Sequence, residues 1–294
     1  MEGLDQVLKQ GDSTAVLKYI RHHRIRASTE VVQHGRDFVM EGKGSSLGDE
    51  AWPVYEQVFL AALDLGETLL AETSLRLLQK KFPDSARVGR LEGMICEAEG
   101  DFEQAAKVYL DLRERYPTDP VVWKRWVALA KAEGDLPEAI KRCNEYLKVF
   151  QGDTSAWQEL AALYVRTGHL HEAAFCYEEL VLCSPANFAF HVALAEAYVG
   201  IGGGESLRLA RKHYAQAMEL HGGDDNLRAL YGMCATCHAL ARSSSSASDE
   251  TDSRVNAALF NLAGDKLKEH YTRANPALFP FVEATLSRQA ADVC

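Results

Sequence analysis

The chain has 294 residues, 47% of them hydrophobic and 25% charged, and its 32 Lys and Arg residues against 42 Asp and Glu residues give a net charge of −10. This composition is typical of a water-soluble globular protein and argues against a disordered, collagen-like or membrane-spanning chain. The acidic balance disfavours an extended nucleic-acid surface, and an odd, thinly spread set of seven cysteines favours reduced thiols over a disulfide framework.

Residues 1–51 are predicted to form an N-terminal helical cap and loop. Apolar residues recur at helical spacing over 4–24 and 29–40, before a loop at 42–50. The first twelve residues lack the basic start and apolar stretch of a secretory signal, so we expect this end to stay in the cytosol. The basic cluster Arg21-His22-His23-Arg24 with Arg26 is most simply a solvated helix face, with contact to anionic lipid or an acidic partner as the alternative.

From residue 52 onward the sequence repeats with a period of 34 residues. Glycine, alanine and proline recur in register: Gly66, Gly100, Gly134, Gly168 and Gly202; Ala71, Ala105, Ala139 and Ala173; Pro83, Pro117 and Pro185. A period of this length is typical of stacked helix-turn-helix units. We therefore predict five repeats over residues 52–224.

Each recurring residue type has a physical role in a pair of helices. The glycine ends a first helix in a left-handed conformation without a steric penalty from Cβ. The alanine lets the second helix cross the first closely, and the proline stops the second helix because it has no N–H. Stacked pairs would bury the apolar residues that recur at three and four, such as Trp157, Leu160 and Tyr164. The predicted fold class is an all-α solenoid with a concave groove.

This pattern resembles the tetratricopeptide repeat. The resemblance is carried by the alanines and prolines above together with Tyr109, Trp123, Trp157, Tyr164, Tyr177 and Tyr198. It implies an α-solenoid of tetratricopeptide-type helix pairs with irregular helical caps.

Beyond Gly202 the period breaks down. Three extra residues, 203–205, predict a longer turn in the fifth repeat, and residues 225–294 are predicted to hold a degenerate sixth repeat, in which residues 230–232 correspond to residues 91–93. The polar, low-complexity run SSSSASDETDS at 243–253 predicts a disordered insert. A partner helix over 254–274 and a C-terminal capping helix over 279–289 are expected after it.

Cations on the predicted first helices are the candidate partner-binding residues on the concave face: Arg87, Arg90, Lys124, Lys131 and Arg166. Fixed cations in a groove would attract acidic segments and orient carboxylates. The alternative is that they are ordinary surface charges paired with acids such as Glu97 and Glu133. The chaperone clamp of some tetratricopeptide proteins is disfavoured, because no Asn stands at the matching inner positions Leu60, Met94, Ala128, Ala162 and Glu196.

One cysteine motif invites a chemical interpretation. Cys234-Ala-Thr-Cys237-His238 has the spacing of covalent haem attachment, and CxxC can also hold zinc. The motif lies within the first helix of the sixth repeat, which favours packing of small thiols, and a metal or haem protein is the alternative. Glycine-rich segments at 42–46 and 200–204 lack the spacing of nucleotide-binding loops, and no GxSxG motif occurs. The sequence therefore predicts neither an enzyme nor a cofactor.

Several stretches resemble subunit two of the endoplasmic reticulum membrane protein complex in residues that the repeat does not require: WPVYEQVFLAALDLG (52–66), FPDSARVGRLEGMICEAEGD (82–101), NEYLKVFQGDTSAWQEL (144–160), AAFCYEELVLCSPANF (173–188), ARKHYAQAMEL (210–220) and LRALYG (227–232). The resemblance implies a non-catalytic, cytosolic scaffold, peripheral on the endoplasmic reticulum membrane, in a complex that inserts tail-anchored and multi-spanning proteins.

The partners expected from this resemblance are the other subunits of that complex, with membrane association through them and with neither nucleic acid nor a small-molecule substrate. A free cytosolic peptide-binding adaptor is a further alternative, consistent with the repeat class alone.

Overall fold

A computed structural model of the chain describes residues 2–221, 226–243 and 250–293. All regular secondary structure in those residues is helical, with sixteen α-helices and one 3₁₀ segment, Lys43–Glu50. In chain order the helices are α1 Glu2–Gln10, α2 Ser13–His22, α3 Ser28–Met40, α4 Ala51–Leu65, α5 Thr68–Lys81, α6 Ala86–Glu99, α7 Phe102–Arg115, α8 Pro120–Glu133, α9 Leu136–Val149, α10 Thr154–Arg166, α11 Leu170–Cys183, α12 Phe188–Ile201, α13 Gly203–Leu220, α14 Leu227–Ser243, α15 Glu250–Ala274 and α16 Phe279–Val293. The predicted all-α fold class is confirmed.

The helices alternate as the period predicts. First helices α4, α6, α8, α10 and α12 are each followed by a second helix, and α4 packs on α5, α6 on α7, α10 on α11 and α12 on α13. Asp119 and Asn187 cap α8 and α12 by accepting hydrogen bonds from backbone N–H groups. These caps set where α8 and α12 begin, and Gly66, Gly100 and Gly134 end α4, α6 and α8 in the left-handed conformation.

The chain forms two compact units, Met1–Ala139 and Ile140–Cys294. In the first unit the fully buried side chains include Leu17, Phe59, Leu70, Tyr109 and Leu129. In the second they include Tyr146, Leu160, Leu180, Leu194, Leu230 and Met233. In each unit this apolar burial supplies the main driving force for packing the helices together.

The repeat glycines have the positive φ angles that the sequence predicts. Gly134 ends α8 with φ 80° and ψ 4°, in the left-handed region. Gly202 has φ 78° but ψ −174°, a conformation open essentially to glycine alone. It reverses the chain in a single residue, so α13 begins at Gly203. The prediction of a longer turn after Gly202 is therefore wrong, and residues 203–205 lengthen the second helix instead.

The two ends of the polar run at 243–253 also differ from the predicted disordered insert. Ser243 is the last residue of α14, and residues 250–253 form the first turn of α15, while 244–249 lie outside the described residues. Glu250 and Asp252 favour this start because acidic side chains stabilise a helix N-terminus. Within the described residues, no helix is both long and apolar enough to cross a membrane.

Candidate partner-binding surface

The five candidate cations all lie on first helices. Arg87 and Arg90 are on α6, Lys124 and Lys131 are on α8, and Arg166 is in the last turn of α10. The first four belong to the first unit and Arg166 to the second. Arg87, Lys124, Lys131 and Arg166 are exposed, whereas Arg90 is half-buried.

Arg87 is held by an acid on the preceding first helix. Its Nε lies 2.7 Å from Glu56 Oε1 and its Nη2 lies 2.6 Å from Glu56 Oε2, a bidentate pair from α6 to α4. The hydrogen bonds to the Glu56 carboxylate raise the pKa of the guanidinium. The Arg87 side chain is still 67% exposed, against 20% for Glu56. Glu56 therefore orients Arg87 without removing it from the surface.

Arg90 makes a more enclosed contact. Its Nη1 lies 2.7 Å from Oδ2 of Asp119, the N-cap of α8, and the two side chains are only 18% and 22% exposed. Because the Arg90 guanidinium is mostly buried and paired with Asp119, it links α6 to α8 and contributes little to an exposed cationic surface.

Acid–base pairs between successive first helices are a feature that the sequence analysis missed. Glu97 on α6 accepts hydrogen bonds from Arg125 on α8 at 3.1 Å and from Tyr109 OH at 2.5 Å. In the second unit, Arg228 on α14 donates two hydrogen bonds to Glu196 on α12. The acid precedes the base by 28 residues in the first pair and by 32 in the second, slightly less than one repeat. A search for opposite charges at that spacing would have found them.

Arg87 and Arg90 are thus paired with acids of the fold, Glu56 and Asp119, whereas Glu97 pairs with Arg125. Arg166 forms no ion pair with any residue in the part of the chain that the structure describes. Apolar side chains are also exposed on first helices, namely Leu60 and Val121 in the first unit and Val165 and Val199 in the second.

The Cys234-Cys237-His238 motif does not assemble a ligand set. Both cysteines are buried, Cys234 against the Phe260 carbonyl and Cys237 against the Met233 sulfur, and burial raises the pKa of each thiol to about 12. His238 Nε2 lies 2.8 Å from Asp292 Oδ2 instead. No group of three or more metal-binding side chains occurs among the described residues. The metal or haem alternative is therefore not supported, because these thiols are helix-packing groups.

The basic cluster near the N-terminus is partly neutralised. Arg21 pairs with Glu50 at 2.5 Å, and Arg26 forms two hydrogen bonds with Asp64, at 2.9 and 3.2 Å. The hydrogen bonds from Ser28 and then from Arg26 lower the pKa of Asp64. Two of the cluster's cations are thus engaged within the fold.

Comparison with known proteins adds evidence beyond the fold. Residues 68–203 match the family model of the EMC2 TPR-like repeat domain. The chain is 38% identical to "ER membrane protein complex subunit 2" of Xenopus tropicalis over 217 residues, which cover 74% of this chain and 72% of that relative. It is 30% identical to the protein of the same name in Dictyostelium discoideum (76% and 73% covered) and 33% identical to "TPR repeat protein oca3" of Schizosaccharomyces pombe (71% and 74% covered).

Solved structures support the fold alone. The C-terminal part of a TPR repeat-containing protein from Cytophaga hutchinsonii superposes with a TM-score of 0.60 at 12% identity, covering 89% of this chain and 96% of that one. A structure of Naa15/Naa10 bound to HypK-THB gives a TM-score of 0.55 at 14% identity, with 81% and 36% covered. Both similarities concern the helical fold, and sequence identities this low do not allow the function of either protein to be assigned to this chain.

Proposed function

The chain belongs to the EMC2 family of TPR-like repeat proteins, and from this premise we propose that it is a non-catalytic scaffold subunit of an endoplasmic reticulum membrane protein complex. The observation that carries the proposal is the 38% identity over 217 residues to a relative named as a subunit of that complex, which extends well beyond the repeat signature. The helix pairs provide rigid surfaces of the kind that bind other polypeptides.

In this proposal the partners are the other subunits, and they bring the chain to the cytosolic face of the membrane. The complex would act in membrane-protein insertion, with this chain positioning other subunits. Residues 52–224 would form the repeat domain, flanked by the caps 1–51 and 225–294. The matched family region, 68–203, lies inside that repeat domain.

We further propose that the exposed cations on the first helices contribute to partner capture. Because Arg87 and Arg90 also hold neighbouring helices, reversing their charge would confound binding with stability. Lys124, Lys131 and Arg166 are exposed, and charge reversal there is expected to preserve the helix core.

The test is the double variant Lys124→Glu/Lys131→Glu, with Arg166→Glu as a separate variant of the second unit. Tagged protein is expressed in cells lacking their own copy, and co-purified complex subunits are quantified. We expect capture to fall about tenfold, the effect of about 1.4 kcal/mol of binding free energy. Lys107→Glu on α7 is the matched control, because Lys107 is an exposed lysine on a second helix.

Circular dichroism and thermal unfolding check that each variant keeps the wild-type fold. Undiminished capture by both charge-reversal variants would exclude these cations as partner contacts. Absence of any complex subunit in the wild-type purification would overturn the scaffold proposal itself.

A further inference from the structure

A small cavity in the first unit lies next to Arg87. Its volume is about 240 Å³, and we call it the Trp52 pocket. Its lining includes the rings of Trp52 and Phe82, the buried side chains of Val88 and Leu91, and the exposed Arg87. Sites for drug-sized ligands usually measure about 300–1,000 Å³. The smaller volume and apolar lining suit one bulky side chain of another polypeptide.

The aromatic lining is partly open to solvent. The rings of Trp52 and Phe82 meet edge to face with centroids 5.5 Å apart, and Phe82 is 37% exposed. Trp123 and Trp157 donate their indole N–H to backbone carbonyls at 2.9 and 2.8 Å. The indole N–H of Trp52 meets no acceptor among the described residues and is available to a partner's carbonyl.

Arg87 supplies an oriented cation beside this apolar space. A guanidinium has five N–H donors, and the Glu56 contact uses two of them. No other acceptor among the described residues takes the remaining ones. Lys81 adds a second positive charge, with its Nζ 5.6 Å from the Trp52 ring centroid. Two cations, Arg87 and Lys81, thus stand beside the pocket with one acid, Glu56, in its lining, and oriented cations favour an acidic partner group.

The Trp52 pocket is not a general consequence of the repeat. One period later, Trp52 corresponds to Ala86, Glu56 to Arg90 and Arg87 to Val121. The large ring, the orienting acid and the exposed arginine are therefore all absent from the next repeat. Two and three periods after Arg87 stand Ser155 and Ala189, so the combination does not recur in those repeats either, which indicates specificity for a particular segment.

We propose that the Trp52 pocket anchors a leucine-sized or aromatic side chain of a partner subunit, and that an acidic side chain next to the anchor pairs with Arg87. Burial of the anchor supplies affinity, and the oriented guanidinium selects segments that carry an adjacent carboxylate. The identification of the partner as a subunit of the complex rests on the proposed function. The preference of the pocket for an apolar side chain next to a carboxylate is independent of that function.

The first experiment uses small peptides, so it is independent of complex assembly. N-acetyl-Leu-Glu-amide is titrated into the full chain at millimolar concentration while NMR follows the indole N–H signal of Trp52. N-acetyl-Leu-Gln-amide lacks the charge, and N-acetyl-Gly-Glu-amide lacks the anchor. We expect the Leu-Glu peptide to bind at least fivefold more tightly than either one.

Arg87→Gln should bring Leu-Glu binding down to the Leu-Gln level while leaving Leu-Gln binding unchanged, which separates loss of the cation from any loosening of the α4–α6 contact. Arg76→Gln is the matched control, because Arg76 is also 67% exposed and paired with a glutamate, but lies on α5. The proposal is overturned if the Leu-Glu peptide leaves the Trp52 signal unmoved, or if its preference over Leu-Gln survives in Arg87→Gln.

The second experiment places the photo-crosslinking residue p-benzoylphenylalanine at position 82 in the assembled complex, with position 69, an exposed leucine on α5, as control. We expect position 82, and not 69, to crosslink to a partner segment with Leu, Ile, Met or Phe within two residues of Asp or Glu. A crosslinked segment without that pair, or no crosslink in a complex containing the chain, overturns the proposal. If the chain joins no complex, the scaffold function is refuted. The peptide titration would still show whether the Trp52 pocket binds an apolar side chain next to a carboxylate.

Discussion

Two glycines inside first helices show how single residues control helix packing. A Cβ added to Gly93 would lie 2.4 Å from the ring of Tyr109, and one added to Gly232 would lie 2.3 Å from the ring of Tyr214. Tyr109 is buried on α7, the helix that follows Gly93, and Tyr214 is buried on α13, the helix that precedes Gly232, so in both cases an added Cβ would overpack a buried ring. Residues 91–93 and 230–232 thus both place a glycine against a buried tyrosine ring, but the tyrosine belongs to the following helix in the first unit and to the preceding helix in the second.

At the residue scale, Gly93→Ala should lower the free energy of unfolding by about 1–3 kcal/mol, because the added methyl overpacks the contact with Tyr109. Urea denaturation followed by circular dichroism measures the change. Gly152→Ala is the control, since its Cβ would meet no atom within 4 Å and Gly152 is not among the residues with positive φ. That variant should stay within about 0.5 kcal/mol of wild type. Equal stabilities for the two variants would contradict the steric argument.

At the element scale, α15 is attached to α13 by a buried polar network. Arg211 pairs with Asp252 and donates to Asn256 Oδ1 at 3.0 Å, and Asn256 donates to the Cys237 carbonyl at 2.8 Å. Arg211 is nearly inaccessible to solvent. Asp252 therefore does more than begin α15, because it neutralises a buried cation.

We expect Asp252→Asn to destabilise the protein by about 1.5–3 kcal/mol at pH 7, the range for hydrogen bonds to charged groups. The Arg211 hydrogen bond lowers the pKa of Asp252 in the folded state below its ordinary 3.8. The carboxylate's contribution is therefore complete above pH 3.8 and is lost as pH falls through the folded-state pKa, so the variant should differ less from wild type in acid.

Urea unfolding at pH 7 and at lower pH measures this difference, and hydrogen exchange locates the loss of protection in α15. Glu250→Gln provides the control, since Glu250 forms an exposed pair with Arg254 within one helix. It should change stability by about 0.5 kcal/mol or less. A pH-independent effect of Asp252→Asn would mean that the charge of Asp252 is not what holds α15.

At the scale of the whole molecule, the proposed function depends on surfaces rather than on a reactive centre. The two units each present helix pairs with exposed charges and apolar side chains on first helices. In the first unit those features converge at the Trp52 pocket beside Arg87. A scaffold of this kind acts by holding partners in fixed geometry, so its loss should be seen as loss of assembly.

Membrane association through partners leads to a direct prediction. The tagged chain should sediment with membranes from cells that contain the other subunits, and alkaline carbonate should release it, because carbonate extracts peripheral proteins. In cells lacking the membrane-embedded subunits, the chain should move to the soluble fraction. Immunoblotting of the fractions measures both, with a known integral protein as control. Retention in the carbonate-treated pellet would contradict peripheral attachment.

Much of the fold was predictable from the amino-acid sequence because the residues that begin, end and pair the helices act locally and recur periodically. The helix pairs follow from glycines, alanines and prolines that recur every 34 residues, and the caps at Asp119 and Asn187 act within a few residues of chain. The longer turn after Gly202 was predicted wrongly, and so were the two ends of the disordered insert predicted at 243–253, since composition and spacing do not show where a helix continues.

The candidate site was predicted as a set of residues but not as a set of contacts. Spacing placed Arg87 and Arg90 on a first helix, but Glu56 and Asp119 became their partners only when neighbouring helices packed. The same packing buried Cys234 and Cys237 and left the Trp52 pocket open. Helix formation depends on neighbours in the chain, whereas charge pairing and cavity shape depend on distances between side chains far apart in sequence, which only the folded chain defines.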